Sequence, residues 1–528
     1  MPRFDAIVIG GGHNGLVAAA YLAKTGLRTL LIERRGILGG ASTSEELWPG
    51  YQISTGAYVI SLLSQKVVSD LKLKSYGFEV IVKEPQIFVP FPDHKHIFVW
   101  SDHRKTLQEI ERFSKRDVMA YKRWVETWRS FSSIAEGLML RPPPDISELV
   151  QLIKMSRWAK RLRLKSEDVA SELLYLTLCD ARKLLEEYFE SEEVKAALVE
   201  DAVVGTFAGP RTSGTAYVLA HHVIGGINGM RGAWGYVKGG MVRLVDALRA
   251  SCKSLGVEIA TGAEVKRILV KNGRALGVEL KDGRQIESKV VLSSVDPKTT
   301  FLKLIDEEHI EQGLRRKVLA LKSEGVSMKL VGILNGLPRY RAYDSPCVGP
   351  QHRASALILP SIDYVDRAYA DALHGKPSRE PWMSINIHSA VDPLVAQEGT
   401  HTLSVFLQYA PYSLKGSWDE IKQDYAKKVI ELIEEYAPNI KEVIKNLETI
   451  TPLDIERRFG NWGGNIFHID MTPDQLLNNR PLPGLSDYRT PIKGLYLCGA
   501  STHPGGGVSG APGHNAALMV AKDLNLKI

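Results

Sequence analysis

Residues 4–35 read FDAIVIGGGHNGLVAAAYLAKTGLRTLLIERR, and the order of residue types here decides the fold. The β-branched run DAIVI suits a buried parallel strand. Gly10, Gly12 and Gly15 follow as GxGxxG, and LVAAAYLAKTG then offers small residues for a helix packed tightly on a sheet. The first glycine permits a tight turn, the second lets backbone approach a pyrophosphate, and the third lets helix and strand come close. The helix N-terminus then faces the phosphates. TLLIE, residues 29–33, supplies the second strand and ends on Glu33, which can accept hydrogen bonds from ribose hydroxyls. GxGxxG alone is a weak signal. With both strands, the helix and the acid in place, it predicts a dinucleotide site.

The neighbouring residues narrow the ligand. After Glu33 comes RRGILGGAS, where Gly39 and Gly40 followed by Ala41 and Ser42 let backbone pass close to a second bulky group. An NAD dehydrogenase seldom needs that, whereas a flavoprotein does, because the isoalloxazine ring lies beyond the pyrophosphate. At the other end of the chain, residues 494–524 read GLYLCGASTHPGGGVSGAPGHNAALMVAKDL. A short apolar strand (495–498) enters a loop containing Gly499, Gly505, Gly506, Gly507 and Gly510, and a helix is expected from near His514. Two strand–loop–helix units at opposite ends suggest one nucleotide site assembled from both.

Between them the pattern changes. Residues 102–200 are mostly helical in periodicity, interrupted by prolines 142–144, as expected of an inserted cap. Residues 257–296 read as an antiparallel meander turning at Asn272-Gly273 and Asp282-Gly283. Strand candidates recur over 326–411. A helix follows with a capping-box pattern at Ser417 and Glu420 and an apolar face at Ile421, Tyr425, Val429, Leu432, Ile433 and Tyr436. The expected fold class is α/β: a Rossmann-like FAD-binding domain, with a parallel sheet and an antiparallel meander, beside an α+β substrate domain with a helical cap. The nucleotide domain is expected to be discontinuous (1–70, 230–300 and 485–528), with the substrate and cap region in 71–229 and 301–484.

Composition sets the limits. A chain of 528 residues exceeds one ordinary core, and 44% hydrophobic with 24% charged residues describes a globular protein. A net charge of +7 is small for this length, and no nucleic-acid motif accompanies it, so no nucleic-acid partner is expected. Cys179, Cys252, Cys347 and Cys498 form no CxxC pair and read as buried thiols in a reducing compartment. The fourteen histidines show no metal-ligand spacing. With neither an apolar stretch of membrane-spanning length nor a signal-peptide pattern, the expected location is cytoplasmic. The basic stretch LVQLIKMSRWAKRLRLK, residues 149–165, reads as a cap helix packed through its apolar face. It could alternatively rest on an anionic membrane, a peripheral contact admitting a lipid-soluble substrate. The sequence leaves the oligomeric state open.

GxGxxG with Glu33, LGGAS, GYVKGGMVRLVDAL (235–248), the meander and GLYLCGASTHPGGGVSG together resemble the phytoene desaturase and carotene isomerase-like flavoproteins, which share their FAD-binding domain with amine oxidases. The stretch 221–241, HHVIGGINGMRGAWGYVKGGM, is similar to a branch of that family named for pyridine nucleotide-disulphide oxidoreductases. The absence of CxxC argues against disulfide chemistry here.

The resemblance implies FAD and assigns its contacts. Gly10, Gly12, His13, Asn14 and Gly15 would lie at the pyrophosphate, with Glu33 on the adenosine ribose and Arg34 beside it. Gly40, Ala41 and Ser42 would pass the ribityl chain and flavin, and Val265 would meet adenine through its backbone. Gly499, Ala500, Gly507 and Val508 would approach the ribityl chain and flavin, as would Gly56, Ala57 and Tyr58. Ala500 and Thr55 stand where relatives often have acids.

The flavin carries the hydride chemistry in such enzymes, so few catalytic side chains are needed. His503, held beside Pro504 in the flavin loop, is the candidate acid or base, with bracing of that loop as its other role. His221, His222 and His468 are candidates for the cavity wall, and Trp234 and Tyr236 for an aromatic one. Three functions compete. The first is an FAD-dependent dehydrogenase, desaturase or isomerase of an apolar, isoprenoid-like small molecule. The second is an amine oxidase-like enzyme, and the third a flavin-bound protein with a binding or scaffold role.

Overall fold

A computed structural model describes residues 3–144 and 174–527, together with Glu148 and Ser171. The strand predicted at DAIVI spans Arg3–Ile9 and lies at the centre of a seven-stranded sheet. It pairs in parallel with Thr29–Ile32 on one side and Gln285–Ser293 on the other. Glu258–Ala260 and Leu495–Leu497 extend the parallel part outward. Ala6, Ile7 and Val8 have no exposed surface, which explains why this strand reads as an uninterrupted apolar run.

The meander forms as its turn residues require. Val265–Lys271 pairs antiparallel with Arg274–Leu280, and that strand with the start of Gln285–Ser293. Asn272 and Gly273 both have positive φ (51° and 68°), the pairing that a two-residue hairpin turn demands.

Helix His13–Lys24 covers one face of the first sheet and packs on Ala511–Asp523, the last helix of the chain. A Cβ on Gly513 would stand 2.1 Å from the Asn14 carbonyl oxygen, so the two helices meet backbone to backbone. The two chain ends are fastened together by that contact. The last helix begins at Ala511, three residues before the expected His514; Pro512 fits its first turn.

A second seven-stranded sheet runs in the order Ile444–Ile450, Met328–Leu334, His401–Gln408, Trp382–Asn386, Ser355–Ile358, Ile87–Pro90, His96–Val99. Alternation sorts its side chains. Leu403, Val405 and Leu407 join a core with Tyr425, Ala426 and Val429 of helix Trp418–Tyr436, while Phe406 joins the core beneath the cap helices. Ser417 caps that helix by accepting from the Asp419 amide; the reciprocal Glu420 bond of a capping box is not formed.

The cap contains helices Lys115–Met139, Ala181–Tyr188 and Glu192–Leu198. The Asp117 carboxylate accepts the amides of Glu190 and Ser191, which ties the long helix to the shorter ones. Cys179, Cys252 and Cys498 are buried as expected, but Cys347 is exposed, lying in the irregular chain between two strands of the second sheet. Among the described residues no helix is long and apolar enough to cross a membrane. The basic stretch 149–165 lies outside the described residues.

Candidate active site

One cavity of about 1110 Å³ runs from the first sheet to the cap. Single-ligand sites usually occupy roughly 300–1,000 Å³, so this one has room for a large cofactor and a substrate side by side.

Its first end is made largely of backbone. The Glu33 carboxylate accepts the Gly11 amide at 2.7 Å and the Arg35 amide at 2.8 Å, which fixes the acid at the cavity edge. A Cβ on Gly15 would lie 2.0 Å from the Gly10 carbonyl oxygen, whereas one on Gly12 would meet nothing within 4 Å. Gly15 therefore closes helix onto strand, and Gly12 opens backbone to the cavity. The helix beginning at His13 has no side-chain cap, so its first amides remain available to an anion.

The second glycine loop lies directly against the first. The Gly39 amide donates to the Gly11 carbonyl at 2.8 Å, and a Cβ on Gly40 would be 3.3 Å from the Gly12 Cα. Gly56 closes from another side, since its Cβ would stand 2.2 Å from the Ala41 carbonyl oxygen, and the Ala57 amide donates to that same oxygen. Gly10, Gly12, His13, Asn14, Glu33, Arg34, Gly40, Ala41, Ser42, Gly56, Ala57, Val265, Ala500, Gly507 and Val508 all line this cavity.

Gly15, Gly499 and His503, expected near the cofactor, stand apart from its lining. Gly15 serves the helix–strand contact. Gly499 lies behind the wall, where a Cβ would come 2.5 Å from the Ser294 carbonyl oxygen. The His503 Nε2 lies 3.0 Å from the Leu138 carbonyl at the end of the long cap helix, so its ring braces the glycine loop against the cap. Burial holds that imidazole down to about 4, so it is neutral at pH 7 and donates through Nε2. Of the other candidates, His222, His468 and Trp234 line the cavity, while His221 bonds the Gly506 carbonyl and Tyr236 bonds Asn386.

Orphaned polar atoms test whether a dinucleotide fits. His13 Nε2, Asn14 Oδ1 and His468 Nδ1 are buried with no protein partner among the described residues. Such an atom costs roughly 1–3 kcal/mol unless something pairs with it. Burial holds His13 at about 4 and His468 at about 3, so both rings are neutral and each can donate or accept. A ligand rich in phosphate and hydroxyl groups would satisfy His13 Nε2 and Asn14 Oδ1, which belong to the cavity lining at the glycine turn. The residues present fit FAD.

The far end is made of side chains that the motifs do not announce. Tyr121, Trp124, Val125 and Trp128 recur on one face of the long cap helix and line the cavity, with Phe406 and Phe467 among the other walls. Lys329, only 3% exposed, donates to the Ser54 and Gly56 carbonyls at 2.6 and 2.8 Å and stands over the Tyr58 ring. Burial pushes its ammonium down to about 7. A lysine in the otherwise apolar VSMKLVGIL was the available signal. Lys83, Glu200 and Asp201 also face this space. No sequence pattern marks them.

A dinucleotide grip assembled from both chain ends, opening onto a second sheet and a helical cap, defines a flavoprotein oxidoreductase. The chain belongs to the flavin containing amine oxidoreductase family, whose pattern matches residues 15–327, and its cofactor is FAD. It is 40% identical to the pyridine nucleotide-disulfide oxidoreductase domain-containing protein 2 of Rattus norvegicus, over 99% of this chain and 94% of that protein. It is 28% identical to one polypeptide of the limonene dehydrogenase of Castellaniella defragrans, over 99% and 95%. A phytoene desaturase (lycopene-forming) of Pseudescherichia vulneris is 26% identical over 98% and 99%. The family expected from the motifs is the one found.

Proposed function

We propose that the enzyme removes hydrogen from an apolar, isoprenoid-like small molecule. The observation that carries this reading is the wall of the far cavity: Tyr121, Trp124, Trp128, Phe406 and Phe467 offer an extended aromatic surface to a hydrocarbon. Burial of apolar surface contributes roughly 25 cal/mol per Å², enough to hold such a molecule without charged contacts. The names of the limonene and phytoene relatives point the same way.

FAD, when bound, supplies hydride acceptance. The chain's own residues hold and orient it and exclude water. Gly10, Gly12, His13, Asn14, Glu33, Gly40 and Ser42 would hold its nucleotide part, Val265 would meet adenine, and Gly56, Ala57, Ala500, Gly507 and Val508 would approach the ring; all of them line the same cavity. Lys329 fixes the 54–58 segment from behind through its two carbonyl contacts. His503 holds the last loop in place.

A second reading, oxidation of an amine, is favoured by the two carboxylates of Glu200 and Asp201 in the same wall. Anaerobic mixing of the FAD-loaded protein with limonene, longer polyene hydrocarbons and alkylamines separates them. Bleaching of the flavin by hydrocarbons alone is the expected result. Bleaching by amines alone establishes the second reading, and no bleaching by either leaves a flavin-bound protein with a binding role.

A further inference from the structure

The far cavity holds a cluster of ionisable groups that neither cofactor binding nor an aromatic wall requires. Glu200 and Asp201 begin a short helix, Glu200–Val203, and face the cavity, as do Lys83 and Tyr58. Lys83 is 4% exposed and donates to Ser355 Oγ at 2.6 Å. Ser355 Oγ donates to Asn386 Oδ1 at 2.8 Å and Asn386 Nδ2 donates to Ser384 Oγ at 3.3 Å; Ser384 in turn neighbours both Glu200 and Tyr58 and favours their charged forms. Lys329 closes the set on the far side of Tyr58. A hydrogen-bonded chain thus runs from Lys83 through two strands of the second sheet to Ser384, and Glu200 and Tyr58 stand beside its end.

Such a network is expensive in an otherwise apolar space. Buried ionisable groups are disfavoured unless paired, and functional sites are where this is tolerated. Burial and the charge of Asp201 both raise the Glu200 carboxyl, while Lys83 opposes them. Burial raises Asp201 to about 6 and pushes the Lys83 ammonium down. The acids move up and the lysine moves down, so protons can be exchanged among them near neutral pH.

Dehydrogenation creates a need for such a site. Forming a carbon–carbon double bond breaks two C–H bonds. One hydrogen leaves as hydride, which the bound flavin takes. The other leaves as a proton, and its bonding pair becomes the new π bond. Loss of hydride leaves the adjacent carbon short of electrons and makes that second C–H strongly acidic, so a carboxylate is base enough.

We propose that Glu200 is the proton acceptor of the reaction, its carboxylate becoming a carboxylic acid as the substrate C–H proton is transferred to it, with Asp201 and Lys83 as the groups through which that proton leaves. This rests on the dehydrogenase reading of the site.

The test uses FAD-loaded wild type, E200Q and, in case E200Q does not fold, E200D. Two measurements are made on each. Infrared titration should show protonated carboxyl absorption that grows as pH falls through the neutral range in wild type and is smaller by one carboxyl in E200Q, where Asp201 and Asp470, both raised to about 6, still contribute. Anaerobic flavin reduction by the hydrocarbon that bleaches wild type should slow by about 10²–10⁴-fold in E200Q, with substrate affinity kept and the neutral limb of the pH–rate profile lost. E200D should retain the band and part of the rate.

Wild-type speed in E200Q, or carboxyl absorption undiminished in it, overturns the assignment. So does the absence of any titrating band in wild type, whatever the substrate. If no hydrocarbon bleaches the wild-type flavin, the dehydrogenase reading has failed and the base assignment falls with it. If wild type is bleached and E200Q keeps pace, only the base assignment has failed.

Discussion

At the Gly10–Ser42 end the cavity is lined largely by backbone, whereas at the Lys83–Glu200 end it is lined by side chains from elsewhere in the fold and from the cap. The glycines that close the first end from behind tolerate no added atom, since a single Cβ at Gly15 or Gly56 would stand 2.0 or 2.2 Å from a carbonyl oxygen. The second is an open arrangement of rings and ionisable groups, drawn from positions as far apart in the chain as Lys83, Glu200 and Phe406. A cofactor common to a family can be met by fixed backbone. A substrate has to be met by whatever residues the scaffold brings round.

That contrast predicts that changes at the first end abolish flavin binding while changes at the second leave it intact. The largest effect is expected from G15A. Its methyl group would have to displace the Gly10 turn, beyond the roughly 1–3 kcal/mol of ordinary overpacking. The purified variant should carry no flavin, read as the ratio of visible to ultraviolet absorbance. A G15A protein with wild-type flavin content would break the comparison.

E33Q comes next, because it keeps the shape but has one oxygen for the two amides of Gly11 and Arg35: one charge-assisted bond is weakened and the other is replaced by an N–H facing an N–H. Such bonds contribute about 1.5–3 kcal/mol each, and a neutral amide oxygen keeps part of that. FAD affinity measured by reconstitution of the apoprotein should fall about 10- to 100-fold.

How much was legible follows the same division. The first end could be read from glycines, because a turn, a close approach and a helix contact each need a residue without a side chain, and Gly10, Gly40 and Gly507 do have positive φ. The meander was legible for the same reason at Asn272-Gly273. The far end was not, because Lys83, Glu200 and Asp201 acquire their meaning only when strands far along the chain, such as Trp382–Asn386, arrive beside them. His503 was legible as a residue of the glycine loop, but the sequence could not show that its ring turns toward the Leu138 carbonyl. Cys347 was read as buried because cysteines usually are, and its irregular loop leaves it exposed.

At the boundary between the two ends, Lys329 offers a pH-dependent test. Its folded value of about 7 lies below the unfolded lysine value of about 10.4. Between those limits the unfolded chain binds the extra proton at this lysine, so its contribution to stability grows as pH rises from 7 to 10. K329M has no such group. The melting temperature of wild type minus that of K329M should therefore rise by a few degrees across this window, whatever its sign at pH 7, and a flat difference would mean that Lys329 stays charged in the folded protein.

The smallest effect is expected at His503, where the comparison is sharpest, since the residue sits in a cofactor loop yet contributes through a side chain. If the ring only braces the loop against the cap, H503A removes one hydrogen bond and costs about 1 kcal/mol. The melting temperature should drop slightly, flavin should be retained, and the anaerobic rate of flavin reduction should stay within about twofold of wild type. A general acid or base contributes about 10²–10⁴-fold, so loss of rate on that scale with flavin content and melting temperature unchanged would return His503 to the chemistry. The Leu138 contact argues for the first outcome: a neutral imidazole that gives its one N–H to a cap carbonyl has only Nδ1 left, and that atom is buried outside the lining of the cavity.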